Sequence, residues 1–275
     1  MILTPEQPTL ALHARNAAES AHPELWRGLV GAWIPALGYQ GSRLYDMSGN
    51  GNNGTLQGNP RWTMDQFGNA LEFFGLNDFI LAGDAPESVR GSNNRTVTAW
   101  IQSKDNTDDQ TIMFYGDKGN GGVGEKFTLR LDAGKLRFEV NGGGNTTNLI
   151  VADGTWHHVA MVLDGTKVSD VTLYVDLLAE QLTNNQDVIT SNANPIMIGS
   201  SVDIRNRFDG FIDNVRIYSR ALTPSEIRTL YTDPMAGFRL RDDTALVTAA
   251  MFGGTTTPSV TLPPPLFNMQ MTGSF

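Results

Sequence analysis

"KFTLRLDAGKLRFEV", residues 126–140, places an apolar side chain at every second position on either side of a short polar break. Phe127, Leu129 and Leu131 share one face of the first half, and Leu136, Phe138 and Val140 share one face of the second. Between them, Asp132-Ala133-Gly134-Lys135 has the composition of a tight turn, with a glycine free to take positive φ. A period of two on both sides of such a turn predicts an antiparallel β-hairpin with one buried face.

The same pattern extends in both directions. "RTVTAWIQ" (95–102) puts Val97, Ala99 and Ile101 on one face. "WHHVAMVLDGTKVSDVTLYVD" (156–176) sets Val159, Met161 and Leu163 before a turn, and Val171, Leu173 and Val175 after it. "PIMIGS" (195–200) and "FDGFIDNVRIYSR" (208–220) add two more strands. One helix is clearly signalled: Thr223-Pro224-Ser225-Glu226 is a capping box with proline at the first helical position, predicting a helix over 224–231. A weaker helical segment spans 10–20, rich in Ala and Leu. Many short strands with Gly/Asn/Asp turns and little helix predict an all-β, two-sheet antiparallel sandwich.

Composition narrows the function. The chain has 275 residues, a formal charge of −9, a pI near 4.9 and no cysteine. Disulfides and thiolate metal sites are thereby excluded. No run of Lys or Arg offers the basic face that nucleic acid requires, and no apolar stretch is long enough for a membrane-spanning helix. The first twenty residues lack a basic n-region followed by an apolar h-region, so no Sec signal is expected there. After Asp243 the sequence carries no charge to its end.

Four stretches occur in order: "GLVGAWIP…LYDMSGNGNNGTL", "ALEFFGLNDFILAGD", "DGTWHHVAMVLDGTKVSDVTLYVD" and "FDGFIDNVRIYSRALTPSEI". Together they resemble the laminin-G-like, concanavalin A-like jelly-roll family over residues 28–232. The resemblance implies two curved antiparallel sheets and often one structural calcium near the sandwich edge. It also divides the chain into an N-terminal arm (1–27), the jelly roll (28–232) and a C-terminal tail (233–275).

Within "DMSGNGNNGTL" (46–56), Asp46, Ser48, Asn50 and Gly51 follow the start of an EF-hand loop. Position 12 is Gln57 where a bidentate Glu is needed, and no helix pair flanks the loop, so the EF-hand reading fails. Strand alternation puts Asp213 on the face of Phe211, Val215 and Ile217, where a lone carboxylate is costly. Two accounts stay open. Asp213 pairs with Arg216, another Arg or backbone N–H groups, or it joins Asp46, Asn50 and Asn53 around the structural calcium that the resemblance implies.

Catalysis is not expected. The paired carboxylates of a glycosidase strand are absent, Glu139 stands alone, and Glu72 reads as solvent-facing. His157 and His158 are adjacent and therefore point to opposite faces of a strand. The Gly-rich stretches 115–126 and 140–148 match no phosphate loop and read as long loops between strands. Trp62 and Tyr115 are the aromatic candidates for a sugar surface. The opening "ELWRGLVGAWIPALG" (24–38) and the 46–56 stretch also resemble laminin-G-like proteins among phage structural genes. The expectation is therefore a non-enzymatic bacteriophage capsid decoration protein on the virion surface. Its partners would be the major capsid protein and copies of itself, as a dimer or trimer joined through the terminal arms. The alternative is a carbohydrate-binding or adhesion module with a glycan as partner, either on a tail fibre or free and extracellular by a non-Sec route.

Overall fold

In the computed structural model, residue 19 and residues 22–238 are described, except 66–67, 108, 118–121, 193 and 202–205. The helical segment expected over 10–20 lies, apart from Glu19, outside the described residues, as do the arm before residue 22 and the tail after residue 238.

The early strands are β1 (Leu29–Trp33), β2 (Tyr39–Gln40), β3 (Arg43–Leu44), β4 (Gly54–Gln57), β5 (Arg61–Asp65), β6 (Gly68–Phe74) and β7 (Phe79–Leu81). The central ones are β8 (Arg95–Gln102), β9 (Gln110–Gly116), β10 (Lys126–Asp132), β11 (Lys135–Val140), β12 (Gly143–Ile150) and β13 (Trp156–Leu163). The last are β14 (Val171–Val175), β15 (Leu178–Gln181), β16 (Met197–Ile198) and β17 (Asp209–Tyr218). Helices α1 (Pro23–Trp26), α2 (Pro35–Gly38) and α3 (Pro224–Thr232) and two 3-10 turns (Glu87–Val89 and Val168–Asp170) complete the described elements.

The strands form two antiparallel sheets. The first has the order β15-β14-β13-β8-β17-β6-β5, with β1 also paired to β17; the second runs β12-β11-β10-β9-β16-β7-β4-β3-β2. The expected two-sheet sandwich is thus the observed fold. The hairpin predicted over 126–140 is β10–β11, with Asp132 opposite Lys135. Ala133 and Gly134 take φ of 48° and 76°, the two positive values of a type I′ turn. Phe127, Leu129, Leu131, Leu136, Phe138 and Val140 all enter the main core, where they meet Val97, Ala99, Ile101, Val159, Met161 and Leu173 from the first sheet.

A second apolar cluster lies on the outer face of the first sheet. Leu25 from α1 and Ile227 and Leu230 from α3 pack there with Ala160, Val162 and Tyr218. Thr223 caps α3 as expected: its hydroxyl accepts from the Glu226 N–H at 3.3 Å, and Glu226 accepts from the Thr223 N–H at 2.8 Å. Met235 and Ala236 belong to the same cluster, and the Trp26 indole donates to the Gly237 carbonyl at 2.7 Å. Packing therefore continues past both ends of the 28–232 segment.

Two expectations change. Residues 143–150 form edge strand β12 rather than part of a loop, pairing Arg137 with Thr146 and Phe138 with Asn145. Gly143 and Gly144 suit this edge because a Cβ on Gly144 would sit 2.7 Å from the Phe138 carbonyl oxygen. Asp213 does not share a face with Val215 and Ile217. The register of β17 against β8 slips between Asp213 and Arg216, where Asn214 takes φ of 49°. This β-bulge adds one residue, so Ile212, Val215 and Ile217 all face the core and Asp213 turns outward.

Candidate functional site

The loop expected to bind calcium is closed by its own hydrogen bonds. Asp46 Oδ1 accepts the N–H groups of Ala32 and Ser48, both at 2.9 Å, and Oδ2 accepts that of Asn52 at 3.0 Å. Asn53 Oδ1 accepts the Asp46 N–H at 3.1 Å. Asn50 turns its amide nitrogen to the carbonyls of Leu29 and Val30. These bonds bind the turn to β1. Asp213 sits in β17 and engages Asn214, whose N–H and side-chain amide lie 2.6 and 2.9 Å from its two carboxylate oxygens. A cation at either place competes with these donors. Among the described residues no three His, Asp or Glu side chains gather as a metal site. The first strand β1 is joined to the last strand β17 by a ladder that pairs Gly31 with Ile217 and Trp33 with Val215.

The outer face of the first sheet carries a different constellation. Across five strands, Arg61 pairs with Glu72, Glu72 with Phe211, Phe211 with Gln102, and Gln102 with Trp156. Leu71, Ile101, Ile212 and Val159 face the core, so strand alternation points this whole row away from it. The rings of Trp156 and Phe211 lean together over Gln102, their centroids 6.0 Å apart and their planes 44° apart. Both are half-buried, as is Gln102. Gln102 Nε2 donates to the Gly154 carbonyl at 2.6 Å, which fixes the amide between the two aromatics. The Arg61 guanidinium lies 4.8 Å from the centre of the Phe74 ring at the other end of the row.

Backbone geometry supports this row. Gly210, at φ of 136°, precedes Phe211, and a Cβ there would lie 2.0 Å from the Gln102 carbonyl oxygen. Only glycine lets β17 approach β8 so closely beside Gln102. Asp209, opposite Phe74, is largely exposed, and partial desolvation of its carboxyl together with the charge of Asp105 pushes it above the ordinary value.

One step along the same strands, the next row is covered. Asp213 pairs with Trp100, and Trp100 with His158. Tyr231 of α3 stacks on Trp100 at 5.7 Å and 11°. His158 is buried, its Nδ1 has no hydrogen-bond partner, and burial with the nearby Arg216 charge lowers its pKa to about 3. His157, on the opposite face as expected, is bracketed by Asp176 at 3.0 Å and Asp153 at 3.2 Å.

The remaining sequence candidates fall elsewhere. Tyr115 is fully buried, stacked on Phe127 at 4.4 Å, and is no surface aromatic. Trp62 packs against the core, with its indole nitrogen on the Gly41 carbonyl. Glu139 stands alone in sequence but not in space: Lys126, Arg130 and Arg137 converge on it. Burial alone would raise its pKa, yet Lys126 and Arg130 hold it at about 2. Sequence reasoning passed over Trp156 and Phe211. Parity was a signal for Trp156, which alternates against Val159, Met161 and Leu163; Phe211 shares the parity of Val215 and Ile217, and only the bulge at Asn214 turns it outward.

The model for the Concanavalin A-like lectin/glucanases superfamily (the Laminin_G_3 family) matches residues 75–228. The chain belongs to this superfamily. A curated relative is adhesion G-protein coupled receptor V1 of Danio rerio, 28% identical over 156 residues, which is 51% of this chain but only 2% of that receptor's length. Among solved structures, domain 4 of the Geobacillus stearothermophilus arabinanase AbnA, in complex with arabinotriose, superposes with a TM-score of 0.56 at 21% identity, covering 74% of this chain and 98% of that one. The binding domain of botulinum neurotoxin serotype D matches with a TM-score of 0.55 at 18% identity, covering 74% and 51%. A Trypanosoma rangeli sialidase in complex with sialic acid matches with a TM-score of 0.55 at 19% identity, covering 76% of this chain and 33% of the sialidase. At these identities the structural likenesses establish the superfamily's sandwich fold.

Proposed function

We propose that this protein is a carbohydrate-binding or adhesion module of the concanavalin A-like superfamily, with the row Trp156–Gln102–Phe211 as its sugar platform. The observation that carries the reading is two half-exposed aromatics flanking a fixed amide on an open stretch of sheet. A pyranose or furanose ring stacks its C–H face on an indole or phenyl ring, while its hydroxyls take hydrogen bonds from amides and charged groups at the edge. Gln102, Glu72 and Arg61 supply such groups along the row. The arabinotriose complex of the arabinanase domain and the receptor relative support a binding role of this class. An extracellular or surface placement goes with it.

Binding fits the row better than catalysis. A glycosidase acid needs a raised pKa and a second carboxyl about 5–9.5 Å away; Asp209 beside the row is raised, whereas Glu139, on the second sheet, is held low by Lys126 and Arg130. The test is a glycan array followed by calorimetry with the best oligosaccharide. Trp156→Ala should weaken binding about tenfold or more, the stacking contribution of one aromatic. Binding unaffected by that change would overturn the assignment of the row, and hydrolysis abolished by Asp209→Asn would move the reading to an enzyme.

Two narrower readings stand as separate proposals. A capsid decoration role would place this same module on a virion. It is supported by the sequence resemblance alone and is tested by stoichiometric co-sedimentation with particles. A structural calcium at Asp46, Asn50, Asn53 and Asp213 is supported by the oxygen-rich loop and opposed by its hydrogen bonds. A calcium-dependent rise in melting temperature, lost in Asp213→Ala, would sustain it; no shift would end it.

A further inference from the structure

The outer-face row has a direction as well as a composition. From Trp156 on β13 it passes Gln102 on β8, Phe211 on β17 and Glu72 on β6 to reach Arg61 on β5, running across the strands. Its four interstrand gaps add up to about 19 Å, roughly the length of a tetrasaccharide. Strand β5 is the edge of its sheet, so Arg61 ends the row at solvent. All five side chains are within reach of a ligand, since Arg61 is exposed and the other four are half-buried.

The two aromatic rings are not coplanar. Their planes differ by 44° with centroids 6.0 Å apart, so the platform has two facets. A glycan whose successive rings lie in one flat ribbon can press on only one facet at a time. A glycan whose successive rings are turned about the chain axis can set one ring on each. This holds whichever way the facets tilt. Between them, Gln102 uses one amide N–H on the Gly154 carbonyl and keeps its oxygen and second N–H for hydroxyls.

Beyond Phe211 the groups change from aromatic to ionic. Glu72 and Arg61 stand side by side with opposite charges, and Asp209 lies beside Phe74 at the same end. That end therefore offers an acidic sugar no net positive charge. A carboxylate next to a guanidinium instead suits a neutral ring, whose hydroxyls both donate and accept.

We propose that the row binds a neutral linear glycan of about four residues, laid across the strands from Trp156 to Arg61, with successive rings turned rather than flat. The proposal rests on the reading of the row as a sugar platform and adds the direction, length and twist of the chain that lies on it.

The experiment is calorimetry of the full chain with laminari- and xylo-oligosaccharides, which are turned chains, and cello-oligosaccharides, which form a flat ribbon, each from two to six residues. The laminari and cello series share one sugar, so a difference between them reports chain geometry. The better of the two turned series should bind about tenfold or more tighter than the cello series, the contribution of a second ring contact. Its affinity should climb to about four residues and then level. Arg61→Ala, a change at an exposed position, should weaken tetrasaccharide binding about tenfold, the loss of a charged hydrogen bond, and bring it close to that of the trisaccharide. Equal or tighter binding of the cello series would overturn the proposal. So would affinity that levels at two residues, or tetrasaccharide binding indifferent to Arg61. In each of those cases, binding still lost in Trp156→Ala would leave the platform reading standing. No binding in any series, or binding that ignores Trp156→Ala, would remove the platform and the proposal with it.

Discussion

Asp213, Trp100 and His158 form one row of a sheet face, and Phe211, Gln102 and Trp156 form the next, two residues further along the same strands. Each row carries a tryptophan on the outward side of a central strand. In the first, Tyr231 of α3 lies flat on Trp100 and the residues beneath are buried. In the second, Trp156 and Phe211 stay half-exposed. The difference arises from the helix rather than from the strands. Thr223 fixes where α3 begins, and two turns later that register delivers Tyr231 onto Trp100. A tryptophan on a polar strand face becomes core or platform according to where the nearest covering element stops.

Substitution can break that comparison. Trp100→Ala should cost about 3–5 kcal/mol in chemical denaturation, the range for emptying a large aromatic site. Trp156→Ala should cost under about 1 kcal/mol, as a change at a partly exposed position, while still losing ligand affinity. Equal destabilisation by both would show that the second row is core after all.

A smaller effect sharpens the role of the bulge that turns Asp213 outward. Asn214→Ala and Asn214→Gly both lose the buried side-chain hydrogen bond to Asp213, and Ala, forced to positive φ, should cost about 1–2 kcal/mol more than Gly. If Ala is tolerated as well as Gly, the backbone there relaxes and the two rows are not locked in register.

The smallest effect is read through pH. Burial alone would lower the pKa of His157, but its hydrogen bonds and charge interactions with Asp176 and Asp153 raise it above 6.5. The folded value exceeds the unfolded one, so this stabilisation is complete below pH 6.5 and disappears as pH rises through the raised pKa. Unfolding free energy measured across that interval should fall with pH in the wild type and fall less in Asp176→Asn. His158, held neutral beneath the helix, acts in the opposite sense and only in acid: near pH 3 and above, up to its ordinary value, the unfolded state takes up a proton that the folded state refuses, so stability rises with pH there.

Much of the sandwich was legible because alternation states a strand's two faces directly. Phe127 to Val140, Val97 to Ile101 and Val159 to Val175 all took the faces their spacing predicts. Thr223 and Glu226 likewise announced α3 by local chemistry. The misreadings share a physical cause, which is dependence on partners distant in sequence. The bulge at Asn214 is invisible to a period-two rule, and it reversed the face of Asp213. β12 carries too much glycine, asparagine and threonine to look like a strand until β11 is beside it. Glu139 looked solitary because two of its three cations lie on the neighbouring strand β10. The aromatic row needed the registers of five strands before its members became neighbours.

The hydrogen bond from Trp26 to the Gly237 carbonyl, with Trp26 and Phe238 edge to face at 5.2 Å, has a consequence for architecture. The two ends of the described 22–238 segment thus meet at one spot, like the two wires of a plug. A module wired this way can be spliced into a surface loop of a host protein without prying the host's loop apart. Its aromatic row can then be presented from many different scaffolds with the same two-point attachment.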